Sequence, residues 1–366
     1  MTREESEDTD SILDVLDLPH ISTQPPLAIL LPALDLLAIP PPSWDLSPSS
    51  AQKPSLQVIG NPGPWLTSLV SSGLKWLPDD DAREMVWETA SLRLAERCGR
   101  TAMPDIDRCF RIADNVEIKI HEPSLDGDNL GLKTWGAAYV LGKRIARDAV
   151  MKDSIRGALS GSTTGGSEKR VLELGSGTGL VGLSLAASIH TTLGSERESK
   201  CVKVDLTDLP AILPNLQRNV EMNQHLLPFV EVSAFVLDWS LHTSPKIFAK
   251  STNKPIESYP LIVVADPLYS LEHPKLLSTV VSGWLEKSAE ARFILEIPRR
   301  ILFNEVVVDF RRLMSEQGFI IVEEGEEDAM DDWGDAGESM KCWWVIYAWD
   351  MGGDRGKSCC CEAESS

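Results

Sequence analysis

The chain has 366 residues, a formal net charge of −20 and a pI of about 4.7. This length suits one large domain with a smaller attachment, and a composition of 43% hydrophobic and 25% charged residues is that of a globular protein with a sizeable core. So acidic a chain repels the phosphate backbone of nucleic acids, and the sequence has no dense run of Lys or Arg. We therefore expect no nucleic-acid partner; a basic or lysine-bearing protein suits this charge better.

The seven cysteines include no CxxC pair, and none lies at metal-ligand spacing from a histidine. This scattered set is typical of free thiols in a reducing compartment. The most apolar stretch, Leu27 to Ile39, is too short to span a membrane and contains Pro32 and Asp35. The acidic start lacks the basic region of a signal peptide. The sequence thus predicts a cytosolic protein with neither a metal site nor a membrane partner.

The two ends of the chain differ from its middle. Residues 1–55 combine acids, Ser and Pro, which predicts a mobile arm. Residues 56–115 carry apolar residues at helical spacing, with Asp79 to Asp81 as capping and first-turn acids, and predict a small N-terminal helical element. Residues 351–366, with three consecutive cysteines, predict a disordered tail that bears free thiols.

Between residues 116 and 350, strand-like and helical segments alternate. After a first alternating segment at 116–120, apolar runs at 169–175, 201–207, 229–237, 259–266 and 292–298 have helical stretches between them. This order predicts a parallel sheet covered on both faces. Residues 318–324 and 341–349 lack a good helix between them and predict an antiparallel pair at the sheet edge. The expected fold is therefore α/β, with a Rossmann-like seven-stranded, mostly parallel sheet and an antiparallel last strand.

A glycine-rich loop follows the first strand of this sheet and opens a helix. Its sequence, from Glu173 to Gly179, places glycines at 175, 177 and 179 with Ser176 between the first two. Glycines let the backbone approach a ligand closely, because a side chain at a tight position would obstruct it. Dinucleotide enzymes carry similar glycines, so the motif alone leaves the ligand open, and a turn without any ligand is the alternative.

Asp208 lies at the end of the next strand, where the strand becomes a loop. An acid at that point can accept both ribose hydroxyls of an adenosine ligand. Asp205, on the strand itself, is the competing candidate, with a salt-bridged structural role as its alternative. Asp238 and Trp239 close the following strand. The aromatic ring can pack on adenine while a carboxylate or backbone amide bonds the ring edge, although a core tryptophan is the simpler interpretation.

The fourth strand ends in Ala265-Asp266-Pro267-Leu268-Tyr269. Ala265 is small and permits close approach of a ligand. Asp266 and Tyr269 are the candidate catalytic residues, because a carboxylate and a phenol at a strand end can accept a hydrogen bond from an attacking amine and orient it.

Five segments together resemble methyltransferase family 16, a family of seven-β-strand enzymes, many of which methylate lysines of non-histone proteins. The resemblance covers residues 116–349, and its ordered segments are 131–146, 171–186, 206–223, 237–240 and 263–277. The long N-terminal extension and the sequence ADPLY at 265–269 most resemble the fungal enzymes that methylate translation elongation factor 2.

This resemblance implies S-adenosylmethionine as cofactor and a translation elongation factor as the candidate protein substrate. It implies that Asp266 and Tyr269 face the target nitrogen, although Pro267 and Leu268 depart from the commoner family sequence. Arg299 and Arg300 match a family feature to which we assign no role from sequence. The cofactor contacts that it implies are Trp135, Gly175, Ser176, Gly177, Asp208, Trp239 and Ala265.

Three other functions are compatible with parts of the sequence. A nucleic-acid amino methyltransferase is suggested because D-P-L-Y approaches the D-P-P-Y motif, but Leu268 and the charge of −20 oppose it. A non-catalytic cofactor-binding module would keep the glycine loop without transfer. An NAD-dependent dehydrogenase conflicts with the reversed last strand. The sequence therefore predicts an S-adenosylmethionine-dependent protein-lysine methyltransferase.

Overall fold

The N-terminal part of the chain folds into a helical unit with its own core. The computed structural model describes residues 12–39, 44, 57–99, 102–125, 129–160, 169–193, 202–228, 230–252, 257–300, 303–330 and 339–352. Strands β1 and β2 pair in parallel. The elements of the unit are β1 Ile12–Asp14, α1 Leu27–Leu36, β2 Gln57–Ile59, α2 Gly63–Ser71 and α3 Asp80–Ala95, with short 3-10 turns at Val15–Asp17 and Ile21–Thr23.

The predicted mobile arm is wrong for residues 12–39, which belong to this unit. Leu30, Leu34 and Leu37 have no exposed surface and pack in one core with α2 and α3. Their spacing of four and three residues places them on one face of a helix. The prolines suggested disorder, yet Pro26 stands at the start of α1, where a helix tolerates the missing N–H. The rest of the predicted arm, apart from Trp44, lies outside the described residues, as do residues 353–366 of the predicted tail.

Trp44 shows where the N-terminal chain meets the rest of the molecule. Its side chain is buried, and its ring lies 5.3 Å from that of Phe110 and 5.8 Å from that of Tyr139. The guanidinium of Arg108 lies 4.5 Å from the centre of the Trp44 ring. Aromatic packing of this kind fastens the predicted arm to the main domain.

We expect Leu34→Ala to destabilise the N-terminal unit by about 2–5 kcal/mol, because the truncation leaves a cavity in a closely packed core. The measurement is chemical denaturation followed by circular dichroism. Leu36→Ala, two residues away on a half-exposed side chain, is the matched control and should cost far less. Equal losses in the two variants would mean that α1 does not pack on α2 and α3.

A β-hairpin follows the helical unit. Its strands are β3 Ile106–Ala113 and β4 Val116–Glu122, paired antiparallel in a sheet of their own. The strand predicted at 116–120 is confirmed, but the helical element predicted through residue 115 is wrong for β3. Arg108, Phe110 and Ile112 point inward and their neighbours outward. The sequence has this alternation, but Arg108 places a charged residue at an inward position, so the pattern did not indicate a strand.

The central sheet has seven strands in the spatial order β10-β11-β9-β8-β5-β6-β7. Strands β5 to β9 run parallel, and β11 lies antiparallel between β9 and β10. This arrangement confirms the predicted fold. Strand bounds are β5 Lys169–Leu174, β6 Val202–Asp208, β7 Glu231–Val236, β8 Leu261–Ala265, β9 Arg292–Pro298, β10 Phe319–Met330 and β11 Ser339–Trp349.

Helices cover both faces of this sheet, which explains why its inner strands are apolar on both sides. One face carries α4 Gly136–Arg147, α5 Ala149–Ser160, α6 Leu180–Leu193 and α7 Leu213–Met222. The other face carries α8 Pro245–Thr252, α9 His273–Trp284 and α10 Asn304–Glu316. Short 3-10 turns occur at Leu130–Leu132 and Gln224–Leu226. Within the described ranges, no helix is long and apolar enough to cross a lipid bilayer.

Asn219 of α7 and Asn223, directly after its last residue, attach the hairpin to the sheet domain. The side chain of Asn219 accepts from the N–H of His121 at 2.8 Å and donates to its carbonyl at 3.1 Å. Asn223 makes the same pair of bonds with Lys119, at 2.9 and 2.7 Å. These side-chain amides bond to the backbone N–H and C=O groups on the edge of β4, as a neighbouring strand would. Asn219 also donates to the carbonyl of Thr178 at 3.0 Å, so the hairpin is connected to the glycine-rich loop.

Candidate active site

The glycine-rich loop lies between β5 and α6, at the point where the strand order reverses. The chain runs from β5 to β6 and β7 on one side, then returns to β8 on the other side of β5. A crevice opens at such a point in an α/β sheet and is the usual place for a ligand. Gly177 has φ of 55°, and its N–H donates to Asp208 at 2.7 Å. A Cβ there would lie 3.1 Å from the carbonyl oxygen of Gly131.

Ser176 holds the loop against β6. Its hydroxyl accepts from the N–H of Thr207 at 3.0 Å, and its own N–H donates to the Thr207 carbonyl at 2.9 Å. Burial raises the pKa of Glu173, near the end of β5, to about 8, and hydrogen bonds from Ser176 and Gly182 oppose that rise. The polar groups of Ser176 are thus engaged within the protein. A cofactor contact at Ser176 stays a prediction.

The structure separates the two acids of β6. The buried carboxylate of Asp205 receives the hydroxyl of Tyr259 at 2.8 Å and the Nε of Arg170 at 3.1 Å. Asp208 instead lies at the strand end, where it accepts the N–H groups of Gly177 and Leu209, both at 2.7 Å. Asp205 therefore has a structural ion pair, and Asp208 is the acid that borders the glycine-rich loop.

Trp239 lies beside the same loop. A Cβ on Gly175, whose φ is 63°, would come within 3.1 Å of Cζ2 of the Trp239 ring, so a larger residue would push the ring aside. The neighbouring carboxylate of Asp238 accepts from the N–H and hydroxyl of Ser240, at 2.8 and 2.6 Å. Asp238 therefore stabilises its own turn, and the Trp239 ring is the part of this pair that lines the loop.

Asp266 and Tyr269 follow β8 but have different environments. The Asp266 side chain is buried, and its carboxylate accepts two hydrogen bonds from Arg300, at 2.8 and 3.2 Å. Burial raises the pKa of Asp266, and the charge of Arg300 opposes that rise. Tyr269 is 49% exposed. Burial raises its pKa, and the charges of Asp208 and Asp266 raise it further.

Trp135 and Ala265 lie on the α4 side of the cleft. Trp135 caps the start of α4, and its indole N–H donates to the carbonyl of Leu130 at 3.2 Å. The Arg300 guanidinium lies 5.5 Å from the centre of its ring. Ala265, the last residue of β8, packs against the small cluster of Ala137 and Val140. The structure therefore brings the predicted residues together around the carboxyl ends of β5, β6, β7 and β8.

Comparison with known proteins decides the family. The model of the family described as "Lysine methyltransferase" matches residues 112–315, which is more than half of the chain. The chain belongs to this lysine methyltransferase family.

Two curated relatives extend over almost the whole chain. The protein-lysine N-methyltransferase EFM2 of Saccharomyces cerevisiae is 33% identical over 90% of this chain and 87% of its own length. The protein-lysine N-methyltransferase rrg1 of Schizosaccharomyces pombe is 30% identical over 88% of this chain and 94% of its own length. Among solved structures, TYW2 of M. jannaschii with AdoMet covers 66% of this chain and 86% of its own at 10% identity, with a TM-score of 0.32; so remote a likeness decides nothing here.

The protein is an S-adenosylmethionine-dependent protein-lysine methyltransferase. The residues of the cleft fit that cofactor, because Gly175 and Gly177 let the loop turn with positive φ and pass close to Trp239 and Gly131 without side chains of its own, and Asp208 carries a carboxylate at a strand end. Within the described part of the chain, no group of His, Cys, Asp and Glu side chains is arranged to hold a metal ion.

Two residues of the cleft had no assigned role in the sequence analysis. Arg300 had no function assigned from sequence. Its contact with Asp266 joins the ends of neighbouring strands β8 and β9, and sequence spacing alone does not predict that contact. His273 begins α9 and was not singled out. Its ring lies 4.3 Å from that of Tyr269 and 6.1 Å from that of Trp239, both edge-on. Burial lowers the pKa of His273, which favours a neutral imidazole between the two aromatic rings.

Proposed function

We propose that this methyltransferase modifies a lysine of translation elongation factor 2 in the cytosol, with Asp266 and Tyr269 serving the target amine. The observation that carries the proposal is that Asp208, Trp239, Asp266 and Tyr269 follow neighbouring strand ends around the glycine-rich loop, with the rings of Trp239 and Tyr269 both edge-on to His273. Aromatic rings give the aliphatic part of a lysine side chain an apolar surface to pack on, and oxygens beside them can accept from its amine. The resemblance at ADPLY and the match along 90% of the chain to a protein-lysine methyltransferase support this substrate class.

The cofactor contacts are part of the same proposal. The backbone around Gly175, Ser176 and Gly177 would approach the ligand, Asp208 would accept from the ribose, and Trp239 would pack on the adenine. Trp135 and Ala265 would contact the cofactor from the α4 side of the cleft. The bound cofactor supplies an electrophilic methyl group on a sulfonium, which is already a good leaving group.

The protein's task is then to present a neutral, oriented amine. A lysine with a pKa near 10.4 costs about 4–5 kcal/mol to deprotonate at neutral pH. Removal of the lysine side chain from water in the cleft lowers this cost by disfavouring the ammonium, and the proton leaves to water. The raised pKa keeps the Tyr269 phenol protonated, and its oxygen can accept from the amine N–H. The amine lone pair then forms the N–C bond while the S–C electrons remain on sulfur.

Exposed leucines follow three of the strand ends at this edge of the sheet. Leu209, Leu241 and Leu271 are 49%, 64% and 84% exposed and come after β6, β7 and β8. Large apolar side chains around a cleft are typical of surfaces that meet another protein. Their placement supports a folded protein, rather than a small molecule, as the acceptor.

We expect Leu271→Ser to raise the KM for the protein acceptor by about 10-fold or more, since burying a leucine contributes about 1.5–3 kcal/mol. Cofactor affinity, measured by calorimetry, should not change. Leu36→Ser, on a half-exposed leucine of the N-terminal unit, is the control and should leave KM unaltered. An unchanged KM in Leu271→Ser would place the acceptor surface elsewhere.

The substrate assignment is tested with purified elongation factor 2 and radiolabelled S-adenosylmethionine. The acceptor comes from cells that lack this methyltransferase, so that its lysines are unmodified. Acid hydrolysis of the labelled product should yield methyl-lysine, and cell fractionation should recover the enzyme with the cytosol. Methyl-arginine in the hydrolysate would refute the lysine assignment, and the absence of label from elongation factor 2 would refute that substrate alone.

A further inference from the structure

Two adjacent arginines after β9 have opposite surroundings. Arg300 turns into the cleft, where its guanidinium pairs with Asp266 and lies over the Trp135 ring. Arg299 turns to the sheet edge, where it pairs with Glu326 of β10 and its side chain is 55% exposed. Arg299 therefore makes a surface ion pair, whereas the half-buried Arg300 pairs with a buried carboxylate.

Asp266 is held at two points by the end of β9. Its N–H donates to the carbonyl of Glu296 at 2.8 Å, and its carboxylate receives both nitrogens of the Arg300 guanidinium. Asp266 also has a φ of 49°, a conformation that is uncommon for a residue other than glycine. Strained residues of this kind persist where the surroundings fix them, and they concentrate at functional sites.

We propose that Arg300 is a positioning residue of the methyl-transfer site: it holds Asp266 as an anion and fixes the segment that carries Tyr269 against Trp135. This inference rests on the proposed function of Asp266 and Tyr269 in serving the amine. A planar guanidinium suits the role, because its paired donors match the two oxygens of a carboxylate and set its orientation.

The pairing changes the role of Asp266 in the reaction. Arg300 bonds to both carboxylate oxygens and lowers their basicity, which favours release of the lysine proton to water rather than to Asp266. The pair also presents little net charge to the incoming side chain, which avoids holding the lysine as an ammonium. Arg300 connects the wall at Trp135 to the segment of Tyr269, and its loss would therefore disturb both sides of the cleft.

The test compares Arg300→Gln with wild type from pH 6 to 9. The rate is initial methyl transfer from saturating radiolabelled S-adenosylmethionine into a lysate of cells that lack the enzyme. At neutral pH, Arg300→Gln should be slower by roughly 10-fold to 100-fold. Its rate relative to wild type should rise with pH, because loss of the Arg300 charge raises the pKa of buried Asp266 further, and the carboxylate regains its charge as the pH rises. Arg300→Lys should retain more activity, and Arg299→Gln should match wild type throughout.

Thermal unfolding separates this role from a merely structural one. In Arg300→Gln, the pKa of Asp266 in the folded state is raised further above its unfolded value, so the fold loses stability as the pH rises from the unfolded pKa to the folded one. The Tm of the variant should thus fall relative to wild type as the pH rises, while its relative rate increases. In an Asp266→Asn background, Arg300→Gln should have no pH-dependent effect on Tm.

Two outcomes would overturn the inference. One is a rate of Arg300→Gln, relative to wild type, that does not change with pH or that falls together with Tm as the pH rises. The other is an equal, pH-dependent effect of Arg300→Gln on Tm in the Asp266→Asn background. A failure of the proposed function is recognised separately, by the hydrolysis product of wild type, since the rate comparison holds whichever residue accepts the methyl group.

Discussion

Gly177→Arg should abolish binding of S-adenosylmethionine and of its demethylated product, with a loss of affinity of roughly 100-fold or more. The φ of 55° costs a residue with a side chain about 1–2 kcal/mol. A Cβ would also lie 3.1 Å from the carbonyl oxygen of Gly131, so the loop must move. The added guanidinium would then enter the cleft and repel the positive sulfonium.

Calorimetric titration of the purified variant measures this effect. Gly157→Arg is the matched control, because Gly157 lies on the exposed side of α5 and a Cβ there has open space around it. That variant should bind the cofactor with wild-type affinity. If Gly177→Arg also binds normally while folded, the cofactor site is not at the glycine-rich loop.

The parallel sheet was predictable because its strands are nearly continuous apolar runs. Residues 261–264 of β8 are all buried, and an apolar run of this length between two helices is typical of an inner strand of a parallel sheet. The order of the motifs also follows from chain direction, since the carboxyl ends of parallel strands meet at one edge. Gly175, Asp208 and Trp239 could therefore be placed together before any coordinate was known.

The N-terminal helices and strand β3 were harder to predict from sequence, because the residue composition of these segments indicated one structure and the spacing of their apolar residues another. The prolines and acids around α1 favoured disorder, whereas Leu30 and Leu34 pack at helical spacing. In β3, an inward Arg108 interrupts the apolar alternation; its charge is paired with buried Glu122 at 3.5 Å. A buried ion pair between two strands cannot be deduced from either strand alone.

The site shows the same division between local and long-range signals. A strand end and an acid are adjacent in sequence, so Asp266 was a candidate from its position. Its partner Arg300 is 34 residues further along the chain, and only the pairing of β8 with β9 brings the two together. Ser176 shows the opposite case, in which a motif residue bonds to β6 and its side chain is engaged within the protein.

Asp266→Asn should lower the rate of lysine methylation by roughly 100-fold, the scale of losing a positioned catalytic group. The substitution keeps the shape of the side chain but removes the charge that Arg300 pairs with, so the guanidinium is left without an anion and the segment to Tyr269 loses its anchor. Cofactor affinity should change by much less, because the glycine-rich loop and Asp208 are untouched. Transfer into unmodified elongation factor 2, at saturating cofactor, measures the rate.

Tyr269→Phe is the graded companion of this variant and should cost less than Asp266→Asn. The phenylalanine ring preserves the edge-on contact with His273 at 4.3 Å and loses only the hydroxyl that would orient the amine. The rate should therefore fall while the KM for the protein acceptor stays close to wild type. Wild-type rates in both variants would make Asp266 and Tyr269 structural and move the reacting centre elsewhere in the cleft. A larger loss in Tyr269→Phe than in Asp266→Asn would instead make the phenol, and not the anchored carboxylate, the group on which amine orientation depends.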